Sequence, residues 1–140
     1  MKQKSIKWFM AISVWLLKIS NGRLGSKLGS QSILLLETTG RKSGRQHTLP
    51  IAYFERDQRV IIVASNWGRD PHAHWYLNLK SNPRAKLGIR GAWLDAVAHE
   101  AEGEEYERLW RWVTNLHPPY LSYQSKTSRK IPIMVFAIQS

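Results

Sequence analysis

The chain has 140 residues, room for one domain with a real core and too little for two ordinary ones. Its 43% hydrophobic and 22% charged residues exclude wholesale disorder, and the absence of cysteine excludes disulfides, thiolate metal sites and cysteine nucleophiles. A net charge of +11 favours anionic partners: nucleic acid, an acidic lipid surface or a multiply charged cofactor.

The first predicted element is a helix from Ser5 to Ile19. Trp8, Phe9, Ile12, Trp15, Leu16 and Ile19 recur at helical spacing, and no acid stands between Met1 and Leu36. The strongly apolar part, Trp8 to Leu17, is short of the roughly 20 residues that cross a bilayer. Two readings fit equally: a helix lying on an anionic membrane surface, and a helix packed on the domain. A signal peptide fits less well, because no clear small-x-small cleavage site follows. The glycine- and serine-rich "SNGRLGSKLGS" reads as a flexible connector without an element. Residues 1–30 are therefore taken as helix and connector, and 31–140 as the folded domain.

Three strands follow in the domain. Ile33 to Thr39 is nearly continuous in apolar residues, Thr48 to Phe54 is rich in β-formers, and Val60 to Ala64 is β-branched. "ERDQR" makes the turn between the second and third. Asp70 and Pro71 predict a helix start, an N-cap acid followed by proline at the first helical position. His72, Trp75, Tyr76 and Leu79 mark one face of that helix, and "SNP" at 81–83 ends it. Arg84 to Arg90 and Ala92 to His99 pair through Gly91. Glu104 to Leu116 is an amphipathic helix with an acidic first turn, as the helix dipole favours. Pro118 and Pro119 break it, leaving an ordered loop, and Ile131 to Ile138 is the last strand. The order predicts an α+β fold, a mostly antiparallel closed or partly closed barrel with flanking helices.

Between the first two strands stands "TTGRKSGR", Thr38 to Arg45. Gly40 and Gly44 permit backbone geometry that exposes N–H groups to an anion. Arg41 and Arg45 fork onto phosphate or carboxylate oxygens, Lys42 adds a point charge and Ser43 a hydroxyl. Taken alone, the pattern fits a charged hairpin tip equally well. His72 and His74 diverge on a helix, which speaks against a metal site. No G-x-S-x-G elbow supports a hydrolase. Basic charge with interleaved aromatics suits a single-strand nucleic-acid binder, but most aromatics fall at core-facing positions, so nucleic acid is not the expected partner.

Together with "LPIAYF", "VASNWG", "HWYLNLKSNP", "HPPYLSYQ" and "TSRKIPI" in that order, the "TTGRKSGR" stretch resembles the deazaflavin-dependent nitroreductase family. The resemblance runs from about Trp8 to the C-terminus. It implies a split β-barrel related to FMN-binding barrels. It also implies coenzyme F420 as cofactor, a deazaflavin with a phosphate and a polyglutamate tail; FMN is the less favoured alternative. It places Arg41, Lys42 and Ser43 at the phosphate and tail, within a cradle of Thr39, Gly40, Gly44 and Arg45. Pro50 and Tyr53 on the second strand lie near the cofactor. Ala64, Ser65, Asn66, Trp67 and Gly68 meet the deazaflavin head, and Trp75 and Tyr76 lie beside it. Ser65, Tyr120 and Tyr123 are the implied catalytic set, the tyrosines lining the acceptor pocket. Where the best-known member of the family has Lys-Gly after "VAS", this chain has Asn66 and Trp67, and His117 replaces the first tyrosine of the Y-P-x-Y-x-x-Y pattern. The implied reaction is hydride transfer from reduced deazaflavin to a quinone, enone or nitro-type small molecule, without a metal. The implied location is the cytoplasm, peripheral on the inner face of the membrane if the first helix binds lipid. The competing function is a non-catalytic binder of an anionic ligand, F420 or nucleic acid.

Overall fold

The computed structural model describes residues 27–28 and 31–139. The predicted helix from Ser5 to Ile19 and most of the connector lie outside the described residues. The described residues form seven strands: β1 (Lys27–Leu28), β2 (Gln31–Thr39), β3 (Gln46–Arg56), β4 (Arg59–Val63), β5 (Arg84–Ile89), β6 (Ala92–Glu100) and β7 (Ile133–Ile138). Among the described residues three α-helices are interleaved: α1 (His74–Ser81), α2 (Gly103–Leu116) and α3 (Pro119–Ser125).

All pairings are antiparallel, in the order β1-β2-β3-β4-β7-β6-β5, and β2 pairs with β5 to close a six-stranded barrel. The α+β split barrel expected from the sequence is thus the observed fold. The two tight turns, Asp57-Gln58 and Arg90-Gly91, have positive φ at both central residues, the backbone twist that suits two-residue hairpins.

Strand alternation builds two cores. Leu34, Leu36, Tyr53, Val60, Ile62, Leu87, Ala96, Met134 and Phe136 fill the barrel, and Trp75, Tyr76 and Leu79 of α1 join them as a plug. The opposite faces of β4 and β7, with Ile61, Val63, Ile133 and Val135, pack outside the barrel against Tyr106, Leu109 and Val113 of α2 and Tyr120 of α3. This double burial explains the unbroken apolar runs in β4 and β7.

Three expectations need correction. Asp70 and Pro71 do not start a helix; α1 begins at His74 with Ala73 before it. The Asp70 carboxylate instead accepts a hydrogen bond from Thr127 Oγ1 (2.8 Å), and the Pro71 carbonyl accepts one from Asn66 Nδ2 (2.9 Å), so tertiary contacts outbid the local cap. Pro118 and Pro119 end α2 but lead into α3 and not a loop, since proline suits a first helical turn. Lys27 and Leu28, read as connector, pair with Ser32 and Gln31 as a short strand.

Candidate active site

Register places most of the candidate residues at one end of the barrel, whereas Pro50 lies midway along β3, opposite Leu35, and Tyr53 lies toward the other end, opposite Ser32. Thr38 pairs with Ala85, Val63 with Ile133 and Glu100 with Met134. The connections 40–45, 64–83 and 101–132 therefore all emerge at the first of these ends, and the two tight hairpins lie at the other. The β3–β4 ladder runs only from Arg56↔Arg59 to Phe54↔Ile61, although β3 reaches back to Gln46 and β4 on to Val63. The two strands splay toward the functional end. The basic connection leads into one side of this opening, and Ser65 leaves the other.

The 40–45 connection is closed by Gly40 N–H to the Arg45 carbonyl (2.7 Å) and Gly44 N–H to the Gly40 carbonyl (2.9 Å). A Cβ on Gly40 would lie 2.7 Å from both His47 Nε2 and Ser43 Oγ, so a larger residue there would displace these two side chains. Ser43 Oγ accepts from Arg45 N–H (3.1 Å). Arg41 is tied to α1: its N–H (3.2 Å) and Nη1 (2.9 Å) both donate to Asn78 Oδ1, and Nη2 lies 3.4 Å from His74 Nδ1. Asn78 is buried and donates to Thr38 Oγ1 (3.3 Å). Lys42 and Arg45 are exposed, and among the described residues no carboxylate pairs with either or with Arg41.

On the other side, Ser65 leads into a tight turn, Asn66–Gly68, with three consecutive positive φ values of 48°, 61° and 78°. Asparagine and glycine take that conformation readily, whereas tryptophan is penalised by roughly 1–2 kcal/mol. Gly68 lies against α3, where an added Cβ would meet the Tyr123 carbonyl oxygen at 2.7 Å and its Cα at 2.9 Å. The Trp67 ring is 67% exposed and meets Tyr123 edge to face, centroids 6.1 Å apart. The Ser65 and Tyr123 hydroxyls make no hydrogen bond to another described residue.

Arg129 clamps this turn. Its Nη2 donates to the Ser65 carbonyl (2.9 Å), its Nε to the Arg69 carbonyl (3.0 Å), and Nη1 faces His72 Nδ1 at 3.2 Å. Burial, then the Arg129 charge, hold the His72 pKa below the ordinary value despite Glu100. Facing a guanidinium, Nδ1 acts as acceptor, so the ring is neutral with its proton on Nε2. A depressed histidine pKa means the unfolded chain takes up the proton first as pH falls. Stability is therefore expected to decline as pH drops through about 6.5 toward the lower folded value. The slope should stay well under the one-proton limit of about 1.4 kcal/mol per pH unit, because the ring is half-exposed. Denaturation across pH 5–8 checks this, and His72→Gln should flatten the profile; an unchanged slope would assign it elsewhere.

Other expected site residues are held by the core. Tyr53, Trp75 and Ala64 are buried in the barrel. The buried Tyr76 hydroxyl donates to Glu100 Oε1 (2.6 Å), which also holds Lys80 Nζ at 3.0 Å. Burial and then this hydrogen bond push the Tyr76 pKa up, so its proton stays in place. Tyr120, expected at the acceptor, is 5% exposed and packs among Phe54, His117 and Tyr123 in the outer core. Pro50 is half-exposed on β3 opposite Leu35, within the stretch of β3 that β4 does not pair. No group of three or more metal-ligating side chains occurs among the described residues.

Sequence reasoning gave no role to Arg129, Asn78 or His74. Asn78 left a signal: a polar residue at a core-facing position of α1, between Trp75 and Leu79, needs a buried partner. Arg129 left none, because its partners lie 57 to 64 residues away in the chain.

The model of the F420H(2)-dependent quinone reductase family matches residues 9–137. An F420H(2)-dependent quinone reductase of Mycobacterium tuberculosis is 36% identical over 120 residues, 83% of this chain and 80% of that protein. Among solved structures, an F420-H2 dependent reductase is 39% identical with a TM-score of 0.67, covering 74% of this chain and 92% of its own. Another, described as a domain-swapped dimer, is 33% identical with a TM-score of 0.71, covering 94% of this chain and 98% of its own. This chain belongs to the F420H(2)-dependent quinone reductase family.

Proposed function

We propose that F420 binds at the opening between β3 and β4, with its acidic tail on the 40–45 connection and its ring beside Ser65. As a family member the chain is an oxidoreductase that passes a hydride from F420H2 to a quinone-type acceptor; the proposal concerns which residues do this. The carrying observation is that Arg41, Lys42 and Arg45 cluster at one side of the opening without a carboxylate partner among the described residues. Such a donor set fits a phosphate and several carboxylates, which it would hold through charge-assisted hydrogen bonds. Asn78 preorganises Arg41, so less side-chain freedom is lost on binding.

Bound reduced deazaflavin supplies the hydride; the protein supplies position and electrostatics. Ser65 offers its hydroxyl, and the clamped Ser65–Gly68 backbone offers a rigid edge, to the polar rim of the ring. Tyr123 presents its hydroxyl to the acceptor and orients it. Tyr120, the other tyrosine expected at the acceptor pocket, supports Tyr123 from the core.

The test is an assay of the purified full chain with F420H2 and a panel of quinones, enones and nitro compounds. Quinones are expected to oxidise F420H2 fastest, seen as recovery of the deazaflavin absorbance. Binding of F420 without turnover of any acceptor would favour a carrier. Colourless protein with strongly salt-dependent oligonucleotide binding would favour nucleic acid.

A further inference from the structure

The structure assigns Trp67 as a specificity-determining residue, a flat aromatic wall for the acceptor that favours extended, fused-ring quinones over single-ring ones. This deepens the reading above and rests on it. The starting point is an imbalance. Trp67 adopts a left-handed backbone (φ 61°, ψ 21°) that a tryptophan disfavours. Its side chain returns little for it: the ring is the most exposed of the large apolar residues described, and its one ring contact is the Tyr123 edge. A fold that gained only packing from this position would do better with glycine.

The surroundings hold Trp67 in place. Arg129 grips the carbonyls of Ser65 and Arg69 on either side of the turn. Gly68 is wedged against the Tyr123 backbone, which fixes the turn relative to α3. Asn66 ties forward to the Pro71 carbonyl. The indole is thus presented rigidly, two residues from Ser65 and touching Tyr123, the two hydroxyl-bearing residues beside the reaction. Strained backbone retained at such a place is characteristic of sites that position a ligand. Large planar side chains bind conjugated rings by offset stacking, and the gain grows with the area overlapped. A two-ring acceptor covers more of the indole than a one-ring acceptor does.

The experiment compares wild-type, Trp67→Gly and Trp67→Phe in the full chain, with F420H2 and with a one-ring and a fused two-ring quinone of similar potential. Trp67→Gly is expected to lose at least tenfold in kcat/KM for the two-ring quinone, mainly through KM, and less than threefold for the one-ring quinone. Trp67→Phe should fall between. F420 affinity, read from deazaflavin fluorescence, should change less than twofold, and the Trp67→Gly melting temperature should hold or rise as backbone strain is released. Equal losses for both quinones, or no loss for either in an otherwise active enzyme, would overturn the assignment and leave the F420 reading standing. A tenfold loss of F420 affinity would move Trp67 to the cofactor side and overturn it as well. Wild-type protein that binds no F420 would remove both.

Discussion

Gly68→Ala is expected to lower the melting temperature by roughly 10 °C and to reduce quinone turnover at least tenfold. Two effects add. At φ 78° the new Cβ sits in the region that L-residues avoid, which costs about 1–2 kcal/mol. That Cβ would also lie 2.7 Å from the Tyr123 carbonyl oxygen, a backbone atom of a packed helix that cannot rotate away. Forcing such an overlap costs typically about 1–3 kcal/mol. The sum, about 2–5 kcal/mol, corresponds to a shift of about 10 °C for a domain of this size. Relief requires the turn and α3 to part, which moves Ser65 and Tyr123 away from each other; with the roles proposed for these two residues, that accounts for the expected loss of turnover. Gly44→Ala is the control. Its φ is 71°, but nothing lies within 4 Å of its Cβ, so only the conformational penalty of about 1–2 kcal/mol remains. Thermal melts of the two variants decide the matter: equal shifts would mean that the contact with α3 is soft.

The double variant Arg41→Ala, Lys42→Ala is expected to weaken F420 binding by more than tenfold. A charge-assisted hydrogen bond contributes about 1.5–3 kcal/mol, and solvent at this exposed connection reduces each value. The two residues should separate. Arg41 is bonded to Asn78 and Lys42 has no hydrogen bond or ion pair to another described residue. Lys42→Ala alone should leave the melting temperature unchanged and cost a few-fold in affinity. Asn78→Ala should weaken binding indirectly, by freeing Arg41 and orphaning the buried Thr38 hydroxyl. Titration followed by deazaflavin or tryptophan fluorescence provides the readout, and added salt should mimic the charge removal. FMN, which lacks the glutamate tail, should bind less tightly than F420 and be less sensitive to both substitutions. Tighter binding of FMN would overturn the cofactor assignment.

The elements that the sequence revealed are those whose signal is local. The strands around Leu34, Val60 and Val135 announce themselves because both faces are buried, and the 40–45 connection because three cations and two glycines stand together. The missed features depend on distant partners. Asp70 carries every local mark of a helix cap, yet its carboxylate goes to Thr127, 57 residues on. Trp75 and Tyr53 stand in motifs tied to the site, and that both rings also pack into the barrel core depends on how the strands close. For Tyr120 and Tyr123 a spacing of three could not tell the core-facing ring from the half-exposed one. That depends on α3 resting on Gly68, and a glycine's need for room is invisible until its neighbour is known.

The splaying of β3 from β4 has a cost for solubility. From Gln46 to Tyr53, β3 is paired only with β2, the longest one-sided run among the described strands. An unpaired row of amides invites a stranger's strand to add itself, the first step of edge-to-edge aggregation. Pro50 stands in the middle of that row, opposite Leu35, and has no N–H to offer. The positive charge of Arg45 stands at its head. The proline that the family pattern suggests as a cofactor neighbour thus has a second task that needs no cofactor: it lets the barrel stay open on one side without becoming a template for fibres.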